Sequence, residues 1–237
     1  MKRDFNHLVL KPIAHIETEF PEKFGIPRQA GIVKETIGKI IFEKEFSKPG
    51  ILKGLEGFSH LILIWGFSME EENKWSPTIR PPKLGGNQRV GVFASRSPNR
   101  PNPLGFSVVK IVSIESLDGI FKISVLGADM VSGTPIYDIK PYLAYSDSFP
   151  DALQGYAKNP DCICLKVDIP ESLKLKIPTN VLFSIEKILS QDPRPGYKRN
   201  GNFYFECLSY HIGFTVDKDN ILHVFEMKKI ISSSCKK

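Results

Sequence analysis

The sequence predicts a mainly β protein: a small closed or nearly closed β-barrel over residues 1–150 and a smaller α+β domain over residues 151–237. Two observations carry this prediction. In the first part, apolar and polar residues alternate in short runs divided by Gly, Pro and Asn, without helical patterns between them. In the second part a helical spacing appears, followed by further β-rich runs.

The first part contains five predicted strands. They cover residues 38–46, 59–67, 89–94, 106–114 and 120–126. Short strands joined in this way form antiparallel sheets, and closing such a sheet into a barrel removes its exposed edges.

The second part contains one predicted amphipathic helix and two predicted β runs. Pro178 and Thr179 open the helix, and Asp192 with Pro193 ends it. The β runs cover 203–216 and 221–227 and are joined by a turn at 217–220, whereas 154–160 reads as a linker.

The composition is that of a globular protein, with 237 residues, 41% of them hydrophobic and 24% charged. Disordered, collagen-like and fibrous classes are excluded. No apolar run approaches the ~18 residues of a membrane span, and the N-terminus lacks the apolar core of a signal peptide, so no membrane partner is expected. The four cysteines include no C-x-x-C pair, which predicts a reducing, cytoplasmic location.

Several common catalytic motifs are absent from the sequence. None of the 18 glycines is followed by another two residues later, so a G-x-G-x-x-G fingerprint cannot be written, and there is no P-loop motif. The five histidines lack metal-ligand spacing, and no metal is expected. There is no G-x-S-x-G elbow either. Nucleotide-binding enzymes of these classes and serine hydrolases are therefore disfavoured.

Residues 73–114 form a basic stretch that contains seven Lys or Arg and no Asp or Glu. A field of this sign attracts phosphate-rich partners such as nucleic acid. The alternative is a basic surface that serves solubility.

Within that stretch, residues 91–105 concentrate unusual residue types. Arg96 and Arg100 alternate with Ser and Asn, and three prolines restrict the conformations of the loop. Arginine forks suit carboxylate and phosphate, and a stiff loop loses little entropy on gripping a ligand. The sequence favours a binding loop, with an ordinary surface loop as the alternative.

Two other polar turns, 27–31 and 129–135, lie between β-rich stretches. Asp129 and Asp138 are the nearest carboxylates that could hold an amine, a ribose hydroxyl or a proton. The frequency of Asp in turns favours a solvated turn residue at each position.

Six ordered motifs together resemble the TsaA-like family, whose characterised members are called tRNA-methyltransferase O. They are FGIPRQAGIV at 24–33, GLEGFSHL at 54–61, RPPKLGGN at 80–87, GVFASRSPNRPNPLG at 91–105, GTPIYDIKPYL at 133–143 and QDPRPGY at 191–197. The match extends over nearly the whole chain.

The resemblance implies a small β-barrel that binds S-adenosylmethionine, as a homodimer with its pocket at or near the subunit interface. It implies methylation of N6 of N6-threonylcarbamoyladenosine at position 37, in the anticodon loop of a threonine tRNA. The C-terminal domain is then expected to aid tRNA binding.

Matching the motifs residue by residue gives the predicted site. The cofactor contacts are Arg28, Gln29, Ala30, Gly31, Ser68, Met69, Arg96, Asp129, Ser132, Gly133 and Thr134. The tRNA contacts are Arg80, Lys83, Arg89, Arg100, Asn102 and Arg194. Asp138 is the predicted general base, with solvent as the alternative proton acceptor, and Phe106 and Tyr137 are available as aromatic walls.

Two rival functions remain open. A non-catalytic RNA-binding β-barrel would bind tRNA without cofactor affinity, and the intact motifs around Gln29, Arg96 and Thr134 argue against it. A methyltransferase with a non-tRNA substrate would bind the cofactor without tRNA affinity, and the basic stretch argues against that.

Overall fold

The computed structural model describes residues 8–69, 75–81, 84, 87–157, 164–194 and 200–230. Its first part contains eight strands. They are β1 (Ala14–Thr18), β2 (Ile37–Phe42), β3 (His60–Gly66), β4 (Thr78–Ile79), β5 (Val90–Gly91), β6 (Leu104–Leu117), β7 (Ile120–Leu126) and β8 (Thr134–Pro141). Six of them close into an antiparallel barrel in the order β1-β2-β7-β6-β3-β8, while β4 and β5 pair separately. The predicted β-barrel is confirmed.

The barrel closes because the period-two alternation gives each strand one apolar face. In β3, Leu61, Leu63 and Trp65 point inward and are buried, while the residues between them are partly exposed. Ile16 of β1 and Ile123 of β7 are completely buried in the same core. Burying one such side chain contributes about 1.5–3 kcal/mol, so the alternation itself favours the closed sheet.

One predicted strand of the first part is mostly wrong. In the segment 89–94 only Val90 and Gly91 pair as a strand, because the partner strand β4 has just two residues. Val92–Ala94 instead form a 3-10 turn. The Val92 amide donates a hydrogen bond to the Pro77 carbonyl, which fixes the start of this turn. This turn leads the chain into the predicted binding loop.

The second part forms an α+β unit with its own core. Its elements are β9 (Lys166–Asp168), α2 (Glu171–Lys174), α3 (Thr179–Ser190), β10 (Phe203–Cys207), β11 (Tyr210–Val216) and β12 (Ile221–Lys229). The short helix α1 (Ala144–Asp147) precedes them, at the end of the first part. The sheet order is β10-β11-β12-β9, with β9 parallel to β12. The predicted amphipathic helix is α3, which buries Ile185, Ile188 and Leu189.

The predicted β run 203–216 is two strands rather than one. Leu208 and Ser209 both have positive φ, 53° and 63°, and these two residues turn β10 back on β11. Two left-handed residues are what a tight hairpin requires, although Leu rarely adopts this conformation.

The core of the α+β unit also contains residues from the first part of the chain. Phe20 and Val33, in the connection between β1 and β2, are buried in it, and Phe24 and Ile26 pack against it. The division into domains at residue 150 stays a prediction. Among the described helices, none is long and apolar enough to cross a membrane.

Candidate active site

Two adjoining cavities open at the end of the barrel where β3 ends and β6 and β8 begin. Their volumes are about 610 Å³ and about 200 Å³. Both are lined by Trp65, Phe67, Pro98 and Asp129, so they are neighbours, and we refer to them together as the pocket. A pocket of this size accommodates a small-molecule cofactor together with part of a second ligand.

The inner wall of the pocket is built by β3 and β6. Gly105 lies directly beneath the indole of Trp65, since a Cβ at position 105 would lie 2.2 Å from Cε2 of that ring. The Trp65 Nε1–H donates to Oγ of Ser107 at 3.0 Å. Ser107 in turn donates to Oδ1 of Asp129 at 2.6 Å. Gly105 and Ser107, two successive inward-facing residues of β6, therefore fix the Trp65 indole and the Asp129 carboxylate relative to each other.

Asp129 is the main electrostatic feature of the pocket. Burial raises the pKa of its carboxyl to about 6. Hydrogen bonds from Ser107 and from the Ala30 amide, and the positive charge of Arg96, oppose this rise. Above that pH the pocket holds a largely desolvated negative charge, which attracts a cation and can accept a proton.

The opposite wall carries positive charge. Arg28, Arg96 and Arg100 all line the larger cavity. The Arg96 guanidinium donates to Oε1 of Gln29, and Nη1 of Arg100 donates to the Ser95 carbonyl at 3.1 Å. Guanidinium groups held in this way suit an anionic ligand such as a carboxylate or a phosphate.

The structure brings most of the predicted cofactor residues together. The larger cavity is lined by Arg28, Gln29, Arg96 and Asp129, and also by Arg100 and Asn102, predicted as tRNA contacts. The smaller one is lined by Ser68, Met69, Asp129 and Thr134.

The remaining predicted cofactor residues donate main-chain hydrogen bonds that hold the loops around the two cavities. The Ala30 amide donates to Asp129, the Gly31 amide to the Gly127 carbonyl, the Ser132 amide to the Phe20 carbonyl, and the Gly133 amide to the Ile16 carbonyl.

Four predicted residues lie away from the cavity lining. Asp138 pairs with Lys140 at 2.9 Å, with its side chain 47% exposed. Arg80 and Arg89 are exposed outside the cavities. Arg194 is only 8% exposed, and its Nε donates to Asp192 at 2.7 Å. Lys83 lies outside the described residues.

Sequence reasoning missed part of the inner wall. Trp65 and Phe67 were covered only by an apolar strand prediction, and Ser107 was not singled out. A polar residue at an inward position of a predicted strand was the available signal for Ser107. Of the two expected aromatic walls, Phe106 lines the larger cavity, whereas Tyr137 packs against Gly66.

A family model described as the tRNA-methyltransferase O N-terminal domain matches residues 15–148, a range that includes every residue lining the pocket. The chain belongs to the tRNA-methyltransferase O family. The resemblance inferred from the six motifs is thereby confirmed.

The similarity to individual members of the family extends beyond the barrel domain. The tRNA (adenine(37)-N6)-methyltransferase of Escherichia coli is 39% identical over 194 residues, covering 79% of this chain and 82% of that protein. A Pseudomonas aeruginosa protein, provisionally named S-adenosylmethionine-dependent methyltransferase RcsF, is 37% identical over 199 residues, covering 80% and 83%. A crystal structure of TrmO from the same species superposes with a TM-score of 0.74 at 28% identity, over 96% of this chain and all of that one.

Metal ligation has no support from the side chains around the tRNA-methyltransferase O pocket. Among the described residues there is no group of three or more His, Cys, Asp or Glu that could hold a metal ion.

Proposed function

We propose that this protein transfers a methyl group from S-adenosylmethionine to N6 of adenosine 37 in tRNA. Its specific substrate is N6-threonylcarbamoyladenosine in the anticodon loop of a threonine tRNA. The observation that carries the proposal is the buried Asp129 carboxylate facing an arginine-lined cavity, in a barrel of the tRNA-methyltransferase O family.

The pocket residues fit S-adenosylmethionine by charge. When bound, this cofactor supplies an electrophilic methyl group on a sulfonium cation. Asp129 provides the buried negative charge that such a cation needs, and Trp65 with Phe67 forms an apolar wall beside it. Arg96, which lines the larger cavity, supplies a guanidinium group for the methionyl carboxylate.

The larger cavity fits a modified adenosine. A threonylcarbamoyl group adds a carboxylate to the base, and Arg28 and Arg100 line this cavity as further guanidinium groups. An unpaired anticodon-loop base can leave its stack and enter such a pocket, which duplex bases cannot do without being flipped.

Methyl transfer requires that N6 lose a proton. The new bond joins the methyl carbon to N6, the carbon–sulfur bond breaks with its electron pair going to sulfur, and the N6 proton goes to a base. Asp129 lies in both cavities, and a pKa of about 6 is suited to accepting a proton near neutral pH. Asp138, predicted from its motif, pairs with Lys140 outside the lining, so the geometry favours Asp129.

Substituting Asp129 and Asp138 one at a time shows which of the two carboxylates is the base. Asp129→Asn should lower the rate constant of methyl transfer about 10²-fold or more, and Asp138→Asn by less than about threefold. The measurement is single-turnover transfer of labelled methyl groups to tRNA. A large loss of the rate constant in Asp138→Asn alone would identify Asp138, the residue predicted from the sequence, as the base.

The function itself is tested with threonine tRNA that carries N6-threonylcarbamoyladenosine at position 37 but lacks its N6-methyl group. We expect labelled methyl groups in threonine tRNA and none in the same tRNA with guanosine at position 37. If the protein binds tRNA but neither transfers methyl groups nor binds S-adenosylmethionine, the result would support the non-catalytic RNA-binding β-barrel. Cofactor affinity without transfer to any tRNA would support another substrate.

The proposal includes a homodimer in the cytoplasm. Phe93 and Phe106 line the larger cavity while being 78% and 56% exposed, an arrangement that suits an interface beside the pocket. Arg80, Lys83 and Arg89 are the proposed phosphate contacts. Arg194, predicted from its motif as a further tRNA contact, is nearly buried and bound to Asp192, so we do not include it among them.

A further inference from the structure

The connection between β1 and β2 touches both cores of the molecule. We call residues 20–33 the pocket loop. Its first half lies on the C-terminal sheet: Phe20 is completely buried there, and the ring of Phe24 meets that of Phe205 edge-on at 5.8 Å between centroids. Gly25, at φ +88°, lies so close that a Cβ would be 2.2 Å from Cδ2 of Phe205.

The second half of the pocket loop forms the cavity wall. Arg28 and Gln29 line the larger cavity. The next two amides are fixed to the barrel, Ala30 by donation to Asp129 and Gly31 by donation to the Gly127 carbonyl at 3.0 Å. Only a few residues therefore separate the contact with Phe205 from the wall of the pocket.

A second attachment joins the loop to the end of α3. Nη2 of Arg28 donates to the main-chain carbonyl of Asp192 at 3.1 Å. The Asp192 carboxylate is in turn bound by both Nε and Nη2 of Arg194, at 2.7 and 3.0 Å. A nearly buried, two-point ion pair fixes the carbonyl that holds Arg28.

We infer that the C-terminal sheet is a positioning element of the cofactor pocket. Phe205 and the Asp192 turn hold the pocket loop so that Gln29 faces Arg96 and the Ala30 amide faces Asp129. Arg194 is then a positioning residue that acts through Asp192 and Arg28. This inference rests on the proposed function only in naming S-adenosylmethionine as the ligand of the pocket.

The physical basis is preorganisation. A loop held at both ends has little conformational entropy left to lose when a ligand binds, whereas a loop released from one core must be ordered again at each binding event. Loosening the contact between Phe24 and Phe205 should therefore weaken cofactor binding, although neither of these residues lines the pocket.

The test compares the same substitution at two positions of one core. Phe205→Leu removes the ring that touches the pocket loop. Phe214→Leu removes a completely buried ring of the adjacent strand, which pairs with Phe203 and Phe205 but, within the described part of the chain, with no ring of the pocket loop. Both should lower Tm by similar amounts. We expect the Kd for S-adenosylmethionine, titrated well below Tm, to rise about tenfold in Phe205→Leu and less than about twofold in Phe214→Leu.

A second readout requires no ligand. Hydrogen exchange at the Ala30 and Gly31 amides should accelerate in Phe205→Leu and stay at the wild-type rate in Phe214→Leu. This readout decides the inference even if the protein binds no S-adenosylmethionine, an outcome that would contradict the proposed function alone.

Phe24→Leu makes the matching change from the loop side and replaces Phe205→Leu if that variant does not fold. Equal changes in affinity and exchange in the loop-contact and control variants would overturn the inference, as would no change in either.

Discussion

At the scale of a single residue, the ionised Asp129 carboxylate destabilises the native state. Burial raises its pKa to about 6 from 3.8, so the native state binds this proton more tightly than the unfolded chain. The free energy of unfolding therefore falls as pH rises from about 4 through about 6. At about 1.4 kcal/mol per pH unit, the cost at neutral pH is about 3 kcal/mol.

Replacing Asp129 by Asn should remove this cost, since an amide oxygen still accepts the hydrogen bond from Ser107. We predict that Asp129→Asn has a higher Tm than the wild type at about pH 8, and that the difference shrinks towards about pH 4. Thermal unfolding across this pH range measures it. A lower Tm for the variant at about pH 8 would show that the carboxylate is stabilising instead.

Gly105 is required by the position of the Trp65 indole. Gly105→Ala should displace the ring, break its donation to Ser107, cost about 1–3 kcal/mol of stability and weaken cofactor binding. Gly91→Ala is the matched control, because nothing lies within 4 Å of its added Cβ. Denaturant unfolding and cofactor titration of both variants provide the comparison, and equal effects would contradict this account of the wall.

The sequence located one side of the pocket better than the other. The loop with Arg96 and Arg100 could be predicted from its unusual polar, Pro-rich composition, whereas Gln29 lies in a polar turn and was assigned to the site through the resemblance to the family. Trp65 and Ser107 lie within strands, where an inward side chain of the core and one of a cavity give the same period-two pattern. Only closure of the barrel shows which inward positions border open space.

At the scale of the elements, His223 connects three parts of the C-terminal sheet. Its Nδ1 lies 2.9 Å from Asp168 of the parallel strand β9, and its Nε2 lies 2.8 Å from Asp217 in the turn before β12. These carboxylates, Asp217 first, raise the pKa of the imidazole. The stabilisation is fully present below about pH 6.5, where the unfolded chain is also protonated, and is lost as pH rises through the native pKa.

His223→Gln should reduce this pH dependence. Because the group is exposed, we predict that the wild type loses at most about 3 °C in Tm more than the variant between about pH 6 and pH 9. Thermal unfolding at both pH values measures the difference. Equal losses in the two proteins would show that the ion pairs do not stabilise the sheet.

The elements that could be predicted are those whose own pattern specifies them. The strand β7 and the helix α3 have clear periodicities over seven and twelve residues. The three-residue strand β9 has none, because it is defined by its parallel pairing with β12. The Leu208–Ser209 turn was missed because neither residue type indicates positive φ.

At the scale of the whole molecule, the proposed tRNA surface should be visible in the salt dependence of binding. If Arg80 and Arg89 each contact one phosphate, replacing both by Ala should lower the slope of log Kd against log salt by about 1.4–1.8. Lys44 and Lys48 are matched control positions, since they are exposed and follow β2 at the opposite end of the barrel. Equal slopes for the two double variants would contradict this surface.

The most direct test of the central claim joins the pocket to the reaction. Threonine tRNA carrying N6-threonylcarbamoyladenosine is incubated with S-adenosylmethionine and either wild-type protein or Asp129→Asn, and its nucleosides are then analysed by mass. We predict N6-methyl-N6-threonylcarbamoyladenosine with the wild type and its near absence with a folded variant. No methylated nucleoside with the wild type, or undiminished product with Asp129→Asn, would contradict the account.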